Sequence, residues 1–114
     1  MHVVSQSMLP LVGMSHEFVG REQGQTGISF FLVNTSEPGR RVRLHKHDYD
    51  EVVHVIEGQS TWTIGDRQVI ARTGDTVVVH AGEPHGFVNS GEGQLRQIDI
   101  HLHPTFETTW LEDY

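Results

Sequence analysis

Short apolar stretches alternate with polar positions along the chain, and glycine or proline interrupts them at close intervals. The stretches are 27–33 (GISFFLV), 42–47 (VRLHKH), 52–56 (VVHVI), 61–64 (TWTI), 76–79 (TVVV) and 95–103 (LRQIDIHLH). Each is of strand length and rich in Val, Ile, Thr or Phe, residues that suit a pleated, half-buried surface. Turn-forming sequences separate most of them: Glu37-Pro38-Gly39, Ile64-Gly65-Asp66, Thr73-Gly74-Asp75, Ala81-Gly82-Glu83-Pro84 and Asn89-Ser90-Gly91. Many short strands at this spacing predict an all-β sandwich or barrel. One short helix is predicted at the C-terminal end, Thr105–Asp113. There Phe106 and Trp110 stand four apart after Pro104, and Thr105 can serve as the cap.

Composition narrows the function classes. A chain of 114 residues suits one domain with one modest core. The net charge of −7, with a single lysine and scattered arginines, argues against nucleic acid and against a basic membrane-surface helix. No apolar run approaches a membrane span, and the first residues lack the basic start and long apolar run of a signal peptide. The expected location is therefore the cytoplasm. The absence of cysteine removes disulfides, zinc–thiolate sites and a cysteine nucleophile.

Candidate chemistry concentrates in HKHDYDE, residues 45–51. Side chains on a strand alternate, so His45 and His47 share a face. Glu51 has the same parity if the strand continues or bends gently through Asp48-Tyr49-Asp50. Asp48 and Asp50 have the opposite parity and are expected in solvent. Further on, a strand from Thr76 to Val79 ends in a tight turn, and His85 follows. Facing inward from a neighbouring strand, His85 supplies a third imidazole. Three histidines and a carboxylate suit one divalent transition metal: Mn, Fe, Co, Ni or Zn. Open positions on such a metal would admit substrate.

These residues resemble the two motifs of the cupin superfamily. The first reads glycine, five residues, His-x-His, three or four residues, Glu, six residues, glycine. Here it is Gly39-RRVRL-His45-Lys46-His47-DYD-Glu51-VVHVIE-Gly58. The second is Gly74-DTVVV-His80-Ala81-Gly82-EP-His85-GFV-Asn89, with His80 where the family usually has proline. The resemblance implies a single cupin domain over 1–114, with motifs at 39–58 and 74–89. Its expected fold is a conical antiparallel β-barrel, also described as a double-stranded β-helix or jelly roll. It implies metal ligands at His45, His47, Glu51 and His85.

On the last strand, Gln97, Asp99, His101 and His103 share one face, while Ile98, Ile100 and Leu102 share the other. By pattern alone the isoleucine face would be core. The resemblance implies the reverse, with Asp99 and His101 facing the cavity. His101 is then the acid–base candidate and Asp99 the residue that orients it. The isoleucine face must then be buried elsewhere, which predicts a homodimer. Pocket candidates are Trp62, Phe87 and Val53 as apolar walls and floor. Arg43, which shares the parity of His45, is the candidate docking group for an anion. His54 is expected to face outward and Asn89 to hold a turn. No helix-turn-helix fits beside a complete barrel in 114 residues. Two functions fit this reading. One is a metal-dependent enzyme on a small organic molecule, as an oxygenase or a non-redox isomerase, lyase or decarboxylase. The other is a module that binds a small ligand without changing it.

Overall fold

A computed structural model describes residues 3–112. Its described residues form a short 3-10 turn, Gln6–Met8, and eleven strands. The strands are β1 Leu11–Val12, β2 Ser15–Phe18, β3 Ser29–Ser36, β4 Arg41–Lys46, β5 Glu51–Glu57, β6 Gln59–Ile64, β7 Arg67–Arg72, β8 Thr76–Val79, β9 His85–Asn89, β10 Leu95–His101 and β11 Thr109–Trp110. Each of the six apolar stretches overlaps a strand. They assemble into a six-stranded sheet, β1-β2-β3-β10-β5-β8, and a five-stranded sheet, β11-β4-β9-β6-β7. Every pairing is antiparallel. The sheets pack face to face, as all-β layers with one apolar face each must.

The predicted C-terminal helix is absent. Residues 105–108 are irregular, Thr109–Trp110 adds a strand to the edge of β4, and Asp113 lies outside the described residues. A four-residue spacing of two aromatics marks a helix only when both rings need the same face. Here Phe106 stacks on Phe31 at 4.0 Å, whereas Trp110 lies against His45 at 4.9 Å.

The core lies between the sheets. Val33, Val53, Val55, Trp62, Val79 and Leu95 are all buried, from alternate positions of β3, β5, β6, β8 and β10. The alternation along β6 and β10 follows the two-residue period of the pleat. Gly58 turns the chain from β5 to β6 with φ +100°, and a Cβ there would sit 2.6 Å from the Gln94 carbonyl oxygen. Only glycine fits that turn without displacing backbone.

The outer face of the six-stranded sheet is unusually apolar. Register places Phe18, Phe30, Ile100, Val52 and Val78 side by side across five strands. Phe18 and Phe30 stack at 4.7 Å. Ile56 and Val78 on that sheet are exposed. No helix among the described residues is long and apolar enough to cross a membrane.

Candidate metal centre

The chain does not run straight through HKHDYDE. β4 ends at Lys46 in the five-stranded sheet, and Glu51 opens β5 in the six-stranded sheet. Residues 47–50 carry the chain from one sheet to the other. Glu51 therefore meets His45 because two inner faces oppose one another, not because of strand parity. Two registered pairs face across the barrel: His45 beside His85 on β4 and β9, and Glu51 beside His101 on β5 and β10. His47 sits at the crossing.

His45, His47, Glu51 and His85 are all buried, and each offers one ligand atom within 4.8 Å of the others. The hydrogen bonds behind them decide which atoms face inward. Nδ1 of His45 lies 2.6 Å from the Arg43 carbonyl oxygen, that of His47 2.9 Å from the Glu107 carbonyl, and that of His85 2.9 Å from the Glu83 carbonyl. A carbonyl can only accept, so each Nδ1 of a neutral ring carries the hydrogen and each Nε2 presents a lone pair. Two of those lone pairs meet the Glu51 carboxylate: its Oε1 lies 3.2 Å from His47 Nε2 and 3.1 Å from His85 Nε2. His47 Nε2 is buried without a hydrogen-bond partner. Acceptors held this close in a dry site require a cation among them, either a proton or a metal. A set of three imidazoles and one carboxylate fits a divalent transition metal.

The electrostatics agree. Burial would raise the Glu51 carboxyl, but the imidazoles of His47, His85 and His101 outweigh it and hold it far below the usual carboxylate range. Burial pushes His45 and His101 down to about 4. Burial also works against a charged His85, but Glu51 prevails and raises it.

His101 is the fifth side chain of the cluster, with Nε2 3.5 Å from Glu51 Oε1. The polar face of β10 is thus the inner one: Gln97, Asp99 and His101 are buried, and Leu102 is exposed. His101 differs from the other three histidines in one respect. Its Nδ1 has the Tyr49 hydroxyl against it at 2.7 Å in place of a carbonyl, a group that can donate as well as accept and that also lies 3.3 Å from His47 Nδ1. That hydroxyl accepts a hydrogen bond from the Glu107 backbone N–H at 3.2 Å. Burial pushes Tyr49 up to about 12, so it keeps its hydrogen and can give it to His101 Nδ1. Nε2 of His101 is then free to carry a proton toward the cavity.

Asp99 does not orient His101. Its carboxyl accepts from Gln97 Nε2 at 2.8 Å, and burial followed by the Glu51 charge raises it well above the usual carboxylate range. Asp99 and His101 are two apart on one strand and stand side by side rather than end to end. Tyr49, placed by the crossing between sheets, takes the orienting position. The bend through residues 48–50 hid its direction from strand parity.

The centre opens into a cavity of about 340 Å³. Phe31, Val33, Val42, Trp62 and Phe87 form its apolar wall, and Asp99 and His101 its polar side. Trp62 and Phe87 are where the sequence placed them. Val53 does not line it; that side chain is wholly buried in the core beneath. Arg43 does not line it either. Phe87 pairs with Val42 and His85 with His45, so β4 spends three residues where β9 spends two. This bulge turns Val42 inward and breaks the parity that linked Arg43 to His45. Arg40 and Arg41 reach the mouth instead. His54 faces outward, bonded to Thr76 Oγ1 at 2.9 Å. His80 and Asp50 are exposed at the rim, 3.9 Å apart. Asn89 donates to the carbonyls of Ser36 and Gly93 and accepts from the Gly91 N–H, which holds the turn.

Residues 32–101 match the cupin domain family. The chain belongs to the cupin family. It is 28% identical over 99 residues to the HTH-type transcriptional regulator PuuR of Escherichia coli, covering 75% of this chain and 54% of the regulator. This chain therefore spans about half the length of that relative. It is 26% identical over 90 residues to an oxalate-binding protein of Thermotoga maritima, covering 78% of this chain and 74% of that protein. Among solved structures it is similar to oxalate decarboxylase from Bacillus subtilis, with TM-score 0.80, 24% identity and coverage of 95% of this chain and 31% of the other. It is also similar to a double-stranded β-helix protein from Klebsiella pneumoniae, with TM-score 0.75, 18% identity and 99% of both chains covered. At these identities the structural likenesses establish the fold.

Proposed function

We propose that this cupin is a metal-dependent enzyme acting on a small organic molecule. His45, His47, Glu51 and His85 would hold one divalent transition metal, and His101 would move a proton. The observation that carries this reading is the difference among the four buried histidines: three Nδ1 atoms have a backbone carbonyl to bond, and the fourth has a hydroxyl in its place. Three are thereby set up as ligands and one as an acid–base group. A bound metal would polarise an oxygen group of the substrate or, if redox-active, support oxygen chemistry.

The residues of the chain do the rest. Phe31, Trp62 and Phe87 exclude water and hold an apolar body, while His101 delivers or removes a proton at Nε2. The cavity, about 340 Å³, lies toward the small end of ligand pockets, which run from about 300 to 1,000 Å³. Oxalate, named for two of the similar proteins, has no apolar part to set against that wall. The substrate class favoured here carries an oxygen-bearing head on an apolar or aromatic body.

The second reading, a module that binds such a molecule unchanged, draws on the name of the oxalate-binding protein. One experiment separates the two. Metal-loaded protein is incubated with oxalate, hydroxy acids, diketones and phenolic acids, and melting temperature and product mass are followed together. The enzyme reading expects a product that His101→Gln no longer makes while its metal content stays unchanged. A ligand that raises the melting temperature and is recovered intact would establish the binder instead.

We further infer a homodimer in which the row Phe18, Phe30, Ile100, Val52 and Val78 is covered by a second copy. A contiguous apolar row across five strands is the supporting feature. Light scattering should give twice the chain mass of 12.9 kDa, and Val78→Asp should halve it. A monomer for the unaltered chain would end that inference.

A further inference from the structure

One segment, residues 106–112, touches the metal centre from behind at several points. The Glu107 carbonyl takes the hydrogen of His47 Nδ1 at 2.9 Å, with Thr108 Oγ1 3.4 Å from the same nitrogen. The Glu107 N–H reaches the Tyr49 hydroxyl that orients His101. Phe106 meets His101 edge-on at 4.9 Å, and Trp110 lies 4.9 Å from His45. Three of the four buried histidines are thus backed by one stretch of chain.

Phe106 seats that stretch on Phe31, and bonds to β4 fasten the rest of it outside the barrel core. The Leu111 N–H donates to the Leu44 carbonyl at 2.9 Å. The Glu112 carboxylate accepts from the Leu44 N–H at 2.8 Å and from Arg41 at 3.1 Å. Residues 107–112 are exposed. The acceptors for His45 and His85 are built differently. Arg43 and Glu83 each lie two residues from the histidine they serve, so those bonds come with the local backbone. The acceptor for His47 lies sixty residues away in sequence.

We propose that residues 106–112 form a clamp whose docking sets the tautomer of His47, making the Glu107 carbonyl a positioning group for the metal centre. This rests on the metal-centre reading above. With the clamp docked, the His47 hydrogen stays on Nδ1 and Nε2 presents its lone pair. With the clamp released, His47 loses its carbonyl acceptor, keeps only the Tyr49 hydroxyl 3.3 Å from Nδ1, and populates more of the other neutral tautomer, which blocks Nε2. His45 and His85 keep their own carbonyl acceptors and hence their tautomers. Partners behind metal-bound histidines of this kind change metal affinity by about ten- to a hundredfold.

The test uses the 114-residue chain carrying Phe106→Gly, Trp110→Gly and Leu111→Pro. The first two changes remove the ring contacts, and proline at position 111 removes the amide bonded to Leu44. Histidine tautomers are read by nitrogen-15 NMR on metal-free protein under alkaline conditions, and affinity for Co(II) is measured separately. The expected result is a gain of the Nε2–H form at His47 alone, with Co(II) affinity lower by about tenfold or more. An unchanged His47 tautomer, or equal loss at His45 and His85, would overturn the proposal. If the triple variant does not fold, Leu111→Pro alone carries the same comparison. Failure of the unaltered chain to bind Co(II) would sink the metal-centre reading instead. The two failures are distinguishable because the tautomer is read without metal.

Discussion

Replacing His47 by alanine should abolish stoichiometric metal binding and leave the barrel folded. His47 is one of four side chains whose ligand atoms lie within 4.8 Å of one another, so its loss leaves the set one donor short. The loss should exceed the ten- to hundredfold typical of partners behind the ligands, reaching about a hundredfold or more. The fold should persist because His47 stands at the crossing between sheets, outside the apolar cluster that joins them. Glu51→Ala should behave alike on metal. The check is a titration with each ion alongside a far-ultraviolet spectrum and a melting curve. A His47→Ala chain that binds metal as tightly as the parent would remove His47 from the ligand set.

Trp62→Ala should have the largest effect on stability. Trp62 is wholly buried, its ring packs against Phe87 at 4.6 Å, and its Nε1 donates to Ser60 Oγ at 2.9 Å. Truncation removes the ring contacts, leaves a void open to the cavity and strands the buried Ser60 hydroxyl. Such changes cost about 3–5 kcal/mol. Total stability is only about 5–15 kcal/mol for a domain, so the variant should be marginal at best. Urea unfolding with linear extrapolation measures the difference. A loss below about 1 kcal/mol would show that the ring is not a core element.

The strands were legible where one face is buried, because there the two-residue period is written in side chains. Strand β7, Arg67–Arg72, was not. Only Ala71 on it is buried, so the stretch carries no alternation to read. It was placed by pairing with β6, a tertiary fact. The stretch Thr105–Asp113 misled because Phe106 and Trp110 satisfy a helical spacing while serving two different partners.

The cluster of His45, His47, Glu51 and His85 was legible from spaced motifs, even though strand parity is not what brings Glu51 to it. Parity assumed one continuous strand, and the chain instead crosses from sheet to sheet. Arg43 failed for a related cause, since the bulge between Val42 and His45 adds a residue that no sequence pattern announces. Tyr49 and the Glu107 carbonyl could not be found in this way. One lies in the bend, and the other is a backbone atom brought to His47 by the last segment of the fold.

The most direct test of the central claim is elemental analysis of the protein purified without a His tag, with the His47→Ala variant prepared beside it. The expected result is about one equivalent of Mn, Fe, Co, Ni or Zn in the unaltered chain and none in the variant. A chain that carries no metal and takes up none when titrated with each of these ions would contradict it.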